Sequence, residues 1–384
     1  MRLYSDFRLW PVGQGLFYSG SIRKEDNSFE FIYDCGGDKL INSNIVDNYL
    51  KYSSKEIDML VISHFDEDHI NGLPYLLDKV KKIKKIFIPY YDGISSYLLF
   101  LAYIYGNGGN FSDKIDDIIM VRTNHIEEEN IPNDFNELRL ERAIDETYMI
   151  GNIRVSEMEV SSTIDLKGIW KFKFYNTLLE KNKSVGTIKD RIDNLINQNA
   201  SFSLEELLSK HLENVKQSLK DIYNVSVPSN FRNSSQNQAS LCLYHSPLSC
   251  PWPMYVSMIS NLVLCESLLH ILTGDTNVGT ILTGDISLRV NKRTKKYKHF
   301  CNHFATEKDR TFFFLVPHHG ASNNWNSDIL TDFKNVKFFL NSAGVNNRYG
   351  HPAELMIKEI LATGSMFLWA NENNLIRYCF TCNG

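Results

Sequence analysis

Short apolar runs alternate with turn residues over the first 90 residues of the chain. Four runs have the composition of strands: FRLWPVGQG (7–15), FEFIYDCGG (29–37), IDMLVIS (57–63) and IFIPYY (86–91). The last two are almost continuously aliphatic, as expected where both faces of a strand are covered. Between them, the apolar residues of 70–82 recur with a helical period. The pattern predicts an α/β layered fold.

Strand-like runs resume after residue 238. They are ASLCLYHS (239–246), HILTGD (270–275), TILTGDI (280–286), FFFLVPHHG (312–320) and VKFFLNSAG (336–344), then a helix at 353–364 and a strand pair near 366–370 and 376–380. The near-repeat ILTGD at 271–275 and 281–285 predicts a hairpin.

The middle of the chain, from about 126 to 236, is charged and rich in Asn and Ser, with one strand candidate at 168–176. Ser203 and Glu206 form a capping box ahead of an apolar stripe, which predicts a helix over 203–223. We therefore predict one domain made of residues 1–125 and 237–384, interrupted by a largely helical insertion at 126–236.

Composition narrows the class of protein. The 384 residues carry 41 Lys and Arg against 45 Asp and Glu, a net charge of −4, which lacks the overall basic bias of a protein that coats nucleic acid. The seven cysteines have no framework spacing, which predicts a reducing, cytoplasmic setting. The apolar stretches 94–106 and 254–274 are respectively too short and too polar to predict a membrane span.

The segment VISHFDEDHINGL (61–73) carries most of the chemical information. His64, Asp66, Asp68 and His69 follow directly on a buried strand, where ligand-type side chains are costly unless something neutralises them. Residues 64 and 66 share a strand face and 68 and 69 enter a helix, so the two pairs can address two adjacent ions. The alternative is an acidic loop that caps a helix.

The motif HFDEDH resembles the HxDxDH form of the metallo-β-lactamase superfamily signature. Further motifs follow in family order: YDCGG (33–37), LTGDI (282–286), VPHHGAS (316–322) and NSAGVNNRYGHP (341–352). Together with VGQG (12–15) and NQASLCL (237–243), they resemble the branch that includes the nuclease domain of the competence DNA-uptake protein ComEC. The resemblance covers roughly 1–125 and 237–384.

The resemblance implies an αββα metallo-β-lactamase-like sandwich with a helical insertion. It also implies His64 and Asp66 at one metal, Asp68 and His69 at the other, and Asp285 bridging both. His319 and His351 then complete the site or position the leaving group, and Asp68 and His319 are the candidate catalytic residues. Asp275 competes with Asp285, and His318 competes with His319 for the place facing the metals.

Two departures from the family pattern stand out. The superfamily often supplies another histidine between HxDxDH and the Gly-Asp motif, and the candidates here, His125, His211, His245 and His270, lack a matching context. Leu16 follows VGQG where relatives usually carry Asp.

Carboxylates at 66, 68 and 285 make a hard ligand set, which favours Mn²⁺ beside Zn²⁺ as the two divalent ions. Such a pair activates water and stabilises the entering and leaving oxygens of an in-line displacement, which suits phosphodiesters. Candidate substrate contacts are Arg348, His318, and Lys295 and Lys296 in the basic run 289–299, which could follow a polyanion. A solvated loop is the alternative for that run.

These features predict a metal-dependent phosphodiesterase, a nuclease acting on DNA or RNA. One alternative is a hydrolase of a small molecule, such as a cyclic nucleotide, a lactone or a thioester, because a fold does not fix its substrate. Another is a docking protein that binds a partner chain through 177–235 and 247–270. The sequence predicts no membrane association and does not indicate an oligomeric state.

Overall fold

The structure is a computed structural model. It describes residues 2–38, 42–90, 100, 104, 113–122, 147–150, 152–166, 168–176, 194, 197–198, 218, 240–248, 254–260, 271–273, 278–289 and 295–383. The predicted helix at 203–223 therefore lies outside the described residues apart from position 218. His125, His211, His270 and Asp275 also lie outside them.

The described residues form eighteen strands and six α-helices. The strands are β1 (Arg2–Leu9), β2 (Phe17–Lys24), β3 (Asn27–Cys35), β4 (Glu56–Val61), β5 (Lys82–Pro89), β6 (Ile115–Arg122), β7 (Thr147–Ile150), β8 (Ile153–Glu159), β9 (Thr163–Leu166), β10 (Trp170–Tyr175), β11 (Cys242–Pro247), β12 (Met254–Ser260), β13 (Ile271–Thr273), β14 (Gly279–Leu282), β15 (Thr311–Leu315), β16 (Phe338–Ser342), β17 (Met366–Ala370) and β18 (Ile376–Asn383). The helices are α1 (Asn42–Leu50), α2 (Glu67–Ile70), α3 (Leu73–Lys79), α4 (Lys296–His303), α5 (Ile329–Asp332) and α6 (Glu354–Ala362).

Eleven strands make a large sheet in the order β13-β12-β18-β1-β2-β3-β4-β5-β6-β8-β7, and seven make a small sheet in the order β17-β16-β15-β14-β11-β10-β9. In the large sheet, β3, β4, β5, β6 and β8 run parallel to one another. In the small sheet, β14 to β17 are parallel. Each sheet therefore presents a row of strand carboxyl ends along one edge.

The two sheets stack face to face, and helices cover their outer faces. Phe313 of the small sheet stacks on Tyr378 of the large sheet, with ring centroids 4.0 Å apart. Its neighbour Phe314 points to the other side, where it meets Phe300 of α4. On the far side of the large sheet, aliphatic strand residues pack against α1 and α3 in a second apolar cluster. The result is a four-layer helix–sheet–sheet–helix sandwich, consistent with the predicted metallo-β-lactamase-like fold.

The alternation of strand side chains explains why both faces of the sheets are apolar. Phe313 and Phe338 face the space between the sheets, whereas Phe314 and Phe339 face the helices. All four are almost fully buried. Complete burial of one such side chain stabilises the fold by about 1.5–3 kcal/mol.

The hairpin predicted from the ILTGD repeat is wrong. β13 pairs with β12 at the edge of the large sheet, whereas β14 lies between β11 and β15 in the small sheet. The two ILTGD segments therefore begin in strands of different sheets. Their similar sequence does not decide their pairing, because strand pairing depends on partners distant in sequence.

The range predicted as an insertion also contributes strands. β7 and β8 extend the large sheet and β9 and β10 extend the small sheet, so residues 147–175 belong to the sandwich. The sequence indicated only the last of these four strands. The helical character of the rest of 126–236 stays a prediction.

Two further findings bear on the setting of the protein. None of the described helices is long and apolar enough to cross a membrane. Cys35, Cys242, Cys301 and Cys379 are free, whereas Cys382 is disulfide-bonded, which the predicted reducing setting does not lead one to expect.

Candidate metal centre

Polar side chains gather where the parallel strands of both sheets end. Asp34 lies at the end of β3, and His64 follows β4 in the large sheet. Asp285 follows β14 and His319 follows β15 in the small sheet. Because the sheets are stacked, these carboxyl ends meet, and all four side chains are buried. Carboxyl ends of parallel strands are the usual place for a binding site in α/β sheets.

The carboxylate of Asp285 lies at the centre of the cluster. Its Oδ1 is 3.1 Å from Nε2 of His69 and 3.6 Å from Nε2 of His319. Its Oδ2 is 3.7 Å from Nε2 of His64 and 3.5 Å from Nε2 of His318. Each carboxylate oxygen therefore faces a different pair of imidazoles.

Two more carboxylates flank this arrangement. Oδ2 of Asp66 is 3.6 Å from Nε2 of His64, and Oδ2 of Asp68 is 3.4 Å from Nε2 of His319. Two groups of ligand-type atoms lie within 4.8 Å of one another: His64 with His69 and Asp285, and Asp68 with His69 and His319. Either group could hold a metal ion.

The hydrogen bonds of three buried histidines fix which nitrogen faces the cluster. Nδ1 of His319 lies 2.7 Å from the carbonyl of Ser342, and Nδ1 of His69 lies 2.8 Å from Asp34. Because both partners are acceptors, each Nδ1 carries the proton and donates it. Ser63 Oγ donates to Asp34 and lies 2.9 Å from Nδ1 of His64, so it accepts from that nitrogen. In every case Nε2 is the atom that points inwards.

This pattern is that of metal-ligating histidines, whose other ring nitrogen is held by an oxygen acceptor. Nε2 of His64 is buried and has no hydrogen-bond partner among the described residues. An unpaired buried nitrogen of this kind is costly unless it binds something. The residues therefore fit a divalent cation.

Backbone strain positions the two consecutive histidines. His318 and His319 adopt φ angles of 50° and 56°, in the left-handed region that non-glycine residues rarely enter. The amide of His318 donates to the carbonyl of Gly284, which ties this turn to the strand that precedes Asp285. Strain of this kind persists where the surroundings enforce it, typically at functional sites.

Two glycines allow the HFDEDH segment to lie close to the loops that precede β2 and follow β3. A Cβ at Gly15 or Gly36 would lie 2.4 Å or 2.3 Å from the carbonyl oxygen of Asp68. The amide of Leu16 donates to the same carbonyl at 3.1 Å. The Leu16 side chain is buried and supplies an apolar wall at this point.

The charges of the cluster oppose the effect of burial. Burial alone would raise the pKa of Asp285, but the positive charges of His318 and His69 lower it well below its usual value. Burial would also raise the pKa of Asp68, but the hydrogen bond from His319 and the charge of His69 lower it to about 2.

The opposite holds for His69. Burial would lower its pKa, and the carboxylates of Asp285 and Asp34 raise it well above its usual value. The carboxylates of Asp285 and Asp68 are therefore ionised at neutral pH and favour positive charge beside them.

His351 stands beside the cluster. Its ring centroid lies 5.9 Å from that of His318 and 5.8 Å from that of Tyr349, on which it stacks. Burial and the positive charges of His319 and His318 lower its pKa to about 4. It belongs to neither group of ligand-type atoms. Its predicted role as a metal ligand stays a prediction.

The predicted substrate contacts occupy different places. Arg348 is exposed, and its Nη2 donates to the hydroxyl of Tyr349 at 3.0 Å, on the loop that leads to His351. His318, predicted as a substrate contact, lies inside the cluster: its Nε2 is 3.5 Å from Oδ2 of Asp285. Lys295 and Lys296 are at the start of α4, on the outer face of the small sheet.

Sequence reasoning did not single out several residues that hold the histidines. Asp34 accepts from His69 and from Ser63, and Ser240 Oγ accepts from the amide of Asp285. Asp34 and Ser63 end neighbouring parallel strands, a signal that could have placed them together. Ser240 could have been noticed only through the motif NQASLCL, in which it lies.

Comparisons with known proteins give likenesses only among solved structures. No protein-family model matches the chain, and no curated protein matches it. Among solved structures, the metallo-β-lactamase fold protein YhfI from Bacillus subtilis is similar over 97% of each chain, with 8% sequence identity and a TM-score of 0.41. At that level the likeness carries no argument about function.

Proposed function

We propose that this protein is a metal-dependent hydrolase of phosphodiesters, and that its substrate is DNA or RNA. The observation that carries the proposal is the convergence of imidazole Nε2 atoms on the two oxygens of Asp285. In three of these imidazoles an acceptor holds the Nδ1 proton. A constellation of histidines and carboxylates with this geometry is typical of a hydrolytic metal centre.

We assign the ligand-type side chains to two half-sites according to the Asp285 oxygen that each one faces. Oδ2 of Asp285 groups with His64, Asp66 and His318, and Oδ1 groups with His69, His319 and Asp68. His318 then takes the place of the histidine that the superfamily often supplies before the Gly-Asp motif. We propose Zn²⁺ or Mn²⁺ for both half-sites, since the ligands are imidazoles and carboxylates.

When bound, a pair of divalent ions supplies a reactive water at neutral pH and stabilises charge on the phosphoryl oxygens. The chain's own residues orient the reactants. Asp68 is the more accessible of the flanking carboxylates, with 37% of its side chain exposed against 17% for Asp66. Ionised at neutral pH, it can accept a hydrogen bond from the attacking water.

His351 and Arg348, at the edge of the site, could bind the leaving oxygen and a neighbouring phosphate of a phosphodiester. His351 is neutral at pH 7 because its pKa is lowered to about 4, so its ring N–H can donate to the leaving oxygen. The exposed guanidinium of Arg348 can bind a neighbouring phosphate in a fork-like geometry. Both support a nucleic acid over a plain ester.

Elemental analysis and turnover of the same preparation test the proposal. We expect wild type to contain up to two divalent ions and to hydrolyse linear DNA, RNA or bis(p-nitrophenyl) phosphate with added Mn²⁺ or Zn²⁺. Asp68→Ala should lose metal and activity together. Asp309→Ala, which removes a carboxylate that is 71% exposed, is the matched control and should change neither.

Full activity of Asp68→Ala would contradict the proposal. Turnover restricted to small substrates and unaffected by Lys295→Glu plus Lys296→Glu would instead favour the small-molecule hydrolase. Cellular function that is unchanged in Asp68→Ala would favour the docking protein.

A further inference from the structure

A cavity lies on the large sheet, away from the candidate metal centre. It has a volume of about 240 Å³ and lies over β1, β2 and β18, beside the end of α1. Asp6 and Arg8 of β1 line it, whereas Phe7 between them points into the space between the sheets. The cavity therefore opens on the outer face of the large sheet. No residue of the metal centre lines it.

The cavity has more positive than negative charge. Asp6 accepts hydrogen bonds from both Arg8 and Arg377, with Nη2 distances of 3.1 Å and 2.6 Å. Arg23 is a third guanidinium in the lining, and the second carboxylate is Glu30. Three cations against two carboxylates leave a net charge of +1.

The two carboxylates are already engaged. Glu30 accepts from Ser53 Oγ at 2.6 Å and from the amide of Ser54 at 3.1 Å, and Asp6 is shared by two guanidiniums. A ligand that enters the cavity therefore meets few free carboxylate acceptors. The groups that can still form hydrogen bonds with it are mainly donors.

Several of those donors have no partner. Arg8 and Arg377 both bind Asp6 through Nε and Nη2, and Nη1 of neither makes a hydrogen bond within the described part of the chain. The hydroxyl of Tyr49, a residue that is only 6% exposed, is buried without a partner among the described residues. The two Nη1 atoms belong to side chains that keep some exposure, 12% for Arg8 and 31% for Arg377, whereas a buried hydroxyl such as that of Tyr49 is usually satisfied by a bound acceptor.

Aromatic rings form the other wall. The guanidinium carbon of Arg8 lies 4.2 Å from the ring centroid of Tyr52 and 5.6 Å from that of Trp10. Tyr52 is 64% exposed, so a large apolar ring stands at the mouth of the cavity. Stacking on rings holds a guanidinium plane in place and offers an apolar surface to a ligand.

We propose that this cavity binds a small organic oxyanion, a phosphate or carboxylate group attached to a planar ring. The oxyanion accepts from the unpaired donors of Arg8, Arg377 and Tyr49, and the ring packs against Tyr52. The site is separate from the metal centre and does not depend on the function proposed for it.

Calorimetric titration with three probes tests the proposal: inorganic phosphate, phenyl phosphate and benzoate. The titrations use wild type and Asp68→Asn, and equal binding by both proteins would count against the metal centre as the source. We expect phenyl phosphate or benzoate to bind both proteins alike and more tightly than inorganic phosphate. The tighter of the two ring compounds identifies the anionic group.

Two variants locate the binding. Tyr52→Ala should weaken the ring compounds about five- to tenfold and weaken inorganic phosphate less, since Tyr52 stacks on Arg8 as well as on the ligand ring. Arg377→Gln should weaken all three probes by more than tenfold, since charge-assisted hydrogen bonds are lost. Tyr349→Ala, which removes an exposed tyrosine outside the cavity, is the control and should change none.

Arg377→Gln could disturb the fold through Asp6, so its thermal unfolding is compared with wild type, and exposed Tyr52 supplies an independent variant. The proposal is overturned if none of the probes binds wild type at millimolar concentration. It is also overturned if Asp68→Asn abolishes binding, or if Tyr52→Ala leaves the ring compounds unaffected.

Discussion

Asp285 connects the two halves of the candidate metal centre. One of its oxygens faces His69 and His319, and the other faces His64 and His318. No other carboxylate among the described residues has this double position. A change at Asp285 should therefore affect both half-sites, whereas a change at Asp68 should affect one more than the other.

We expect Asp285→Asn to lower the metal content below one ion per chain and to reduce turnover by about a hundredfold or more, because the amide removes the negative charge that faces both groups of imidazoles. Metal content by mass spectrometry and initial rates measure the two effects. Asp309→Asn should match wild type in both. An Asp285→Asn protein that keeps two ions would show that the half-sites are independent of this carboxylate.

Asp34 makes the second prediction at this scale, because it orients two histidines without facing the centre. It accepts directly from His69 and, through Ser63, it fixes His64. Loss of such a supporting partner typically costs about 10–100-fold in metal affinity. We expect that loss for Asp34→Asn in competition with a chromophoric chelator.

Asp58→Asn is the control for Asp34→Asn. Asp58 is a partly exposed carboxylate on β4 that pairs with Lys84 and lies outside the cluster. Unchanged metal affinity in Asp34→Asn would mean that packing alone orients the histidines.

Two buried histidines outside the site predict acid sensitivity. Burial lowers the pKa of His245 to about 3, and burial together with Lys173 lowers that of His303 to about 3. In the unfolded chain both would bind protons near pH 6.5, so between pH 6.5 and 3 the unfolded chain holds more protons. The free energy of unfolding should therefore be fully present above pH 6.5 and fall as the pH drops, by about 2 kcal/mol per histidine at pH 5.

Denaturant titrations at several pH values measure this slope. His245→Phe should reduce it, since Phe7 and Phe31 already surround the ring at 4.9 Å and 5.2 Å and accept an aromatic replacement. His299→Asn, at an exposed position, should leave it unchanged. A slope that stays the same in His245→Phe would assign the acid sensitivity to other groups.

At the scale of elements, the turn after β3 determines whether α2, which contains Asp68 and His69, can pack against it. A Cβ at Gly36 would lie 2.3 Å from the carbonyl oxygen of Asp68 and 2.4 Å from the carbonyl carbon of His69. Both contacts are with backbone, which cannot rotate away. Gly36, the first glycine of YDCGG, is therefore required by the close approach of this turn to α2.

We expect Gly36→Ala to lower the free energy of unfolding by about 1–3 kcal/mol and to weaken metal binding at the same time, because the turn must move. Urea denaturation and metal titration test both effects. Gly168→Ala is the control: its φ of +71° is strained for alanine, but nothing lies within 4 Å of its Cβ. That variant should lose stability without losing metal affinity.

The sequence predicted elements better than it predicted their partners. Apolar runs located β4, β5 and β15, and the motifs located Asp285 and His319 at strand ends. Which sheet a strand joins depends on distant partners, so the separate placement of β13 and β14 was not predictable from the ILTGD repeat. The role of Asp34 was missed for the same reason, since its partner Ser63 lies 29 residues away.

At the scale of the whole molecule, the candidate metal centre lies where the two sheets meet. The large sheet contributes His64 to His69, and the small sheet contributes Asp285 and the turn that contains His319. Ions held between them would bind the folded sandwich and not the unfolded chain, so binding should stabilise the stacking of the sheets.

We expect a chelator to lower the melting temperature of the wild type by on the order of 5 °C, since each site at a hundredfold excess over its dissociation constant contributes about 2.7 kcal/mol. Differential scanning calorimetry with and without EDTA measures the shift. Asp285→Asn should show little or no shift. An equal shift in both proteins would place the stabilising ions elsewhere.

The separation of these ligands along the chain also orders events during synthesis. His69 meets His319 across 250 residues, and His319 is held by the carbonyl of Ser342. A ribosome that has released the HFDEDH segment still has to make β14, β15 and β16 before that segment acquires its partners. The nascent chain therefore exposes four candidate ligand side chains long before their partners exist, and we expect binding of a metal by the whole cluster to follow the synthesis of β16.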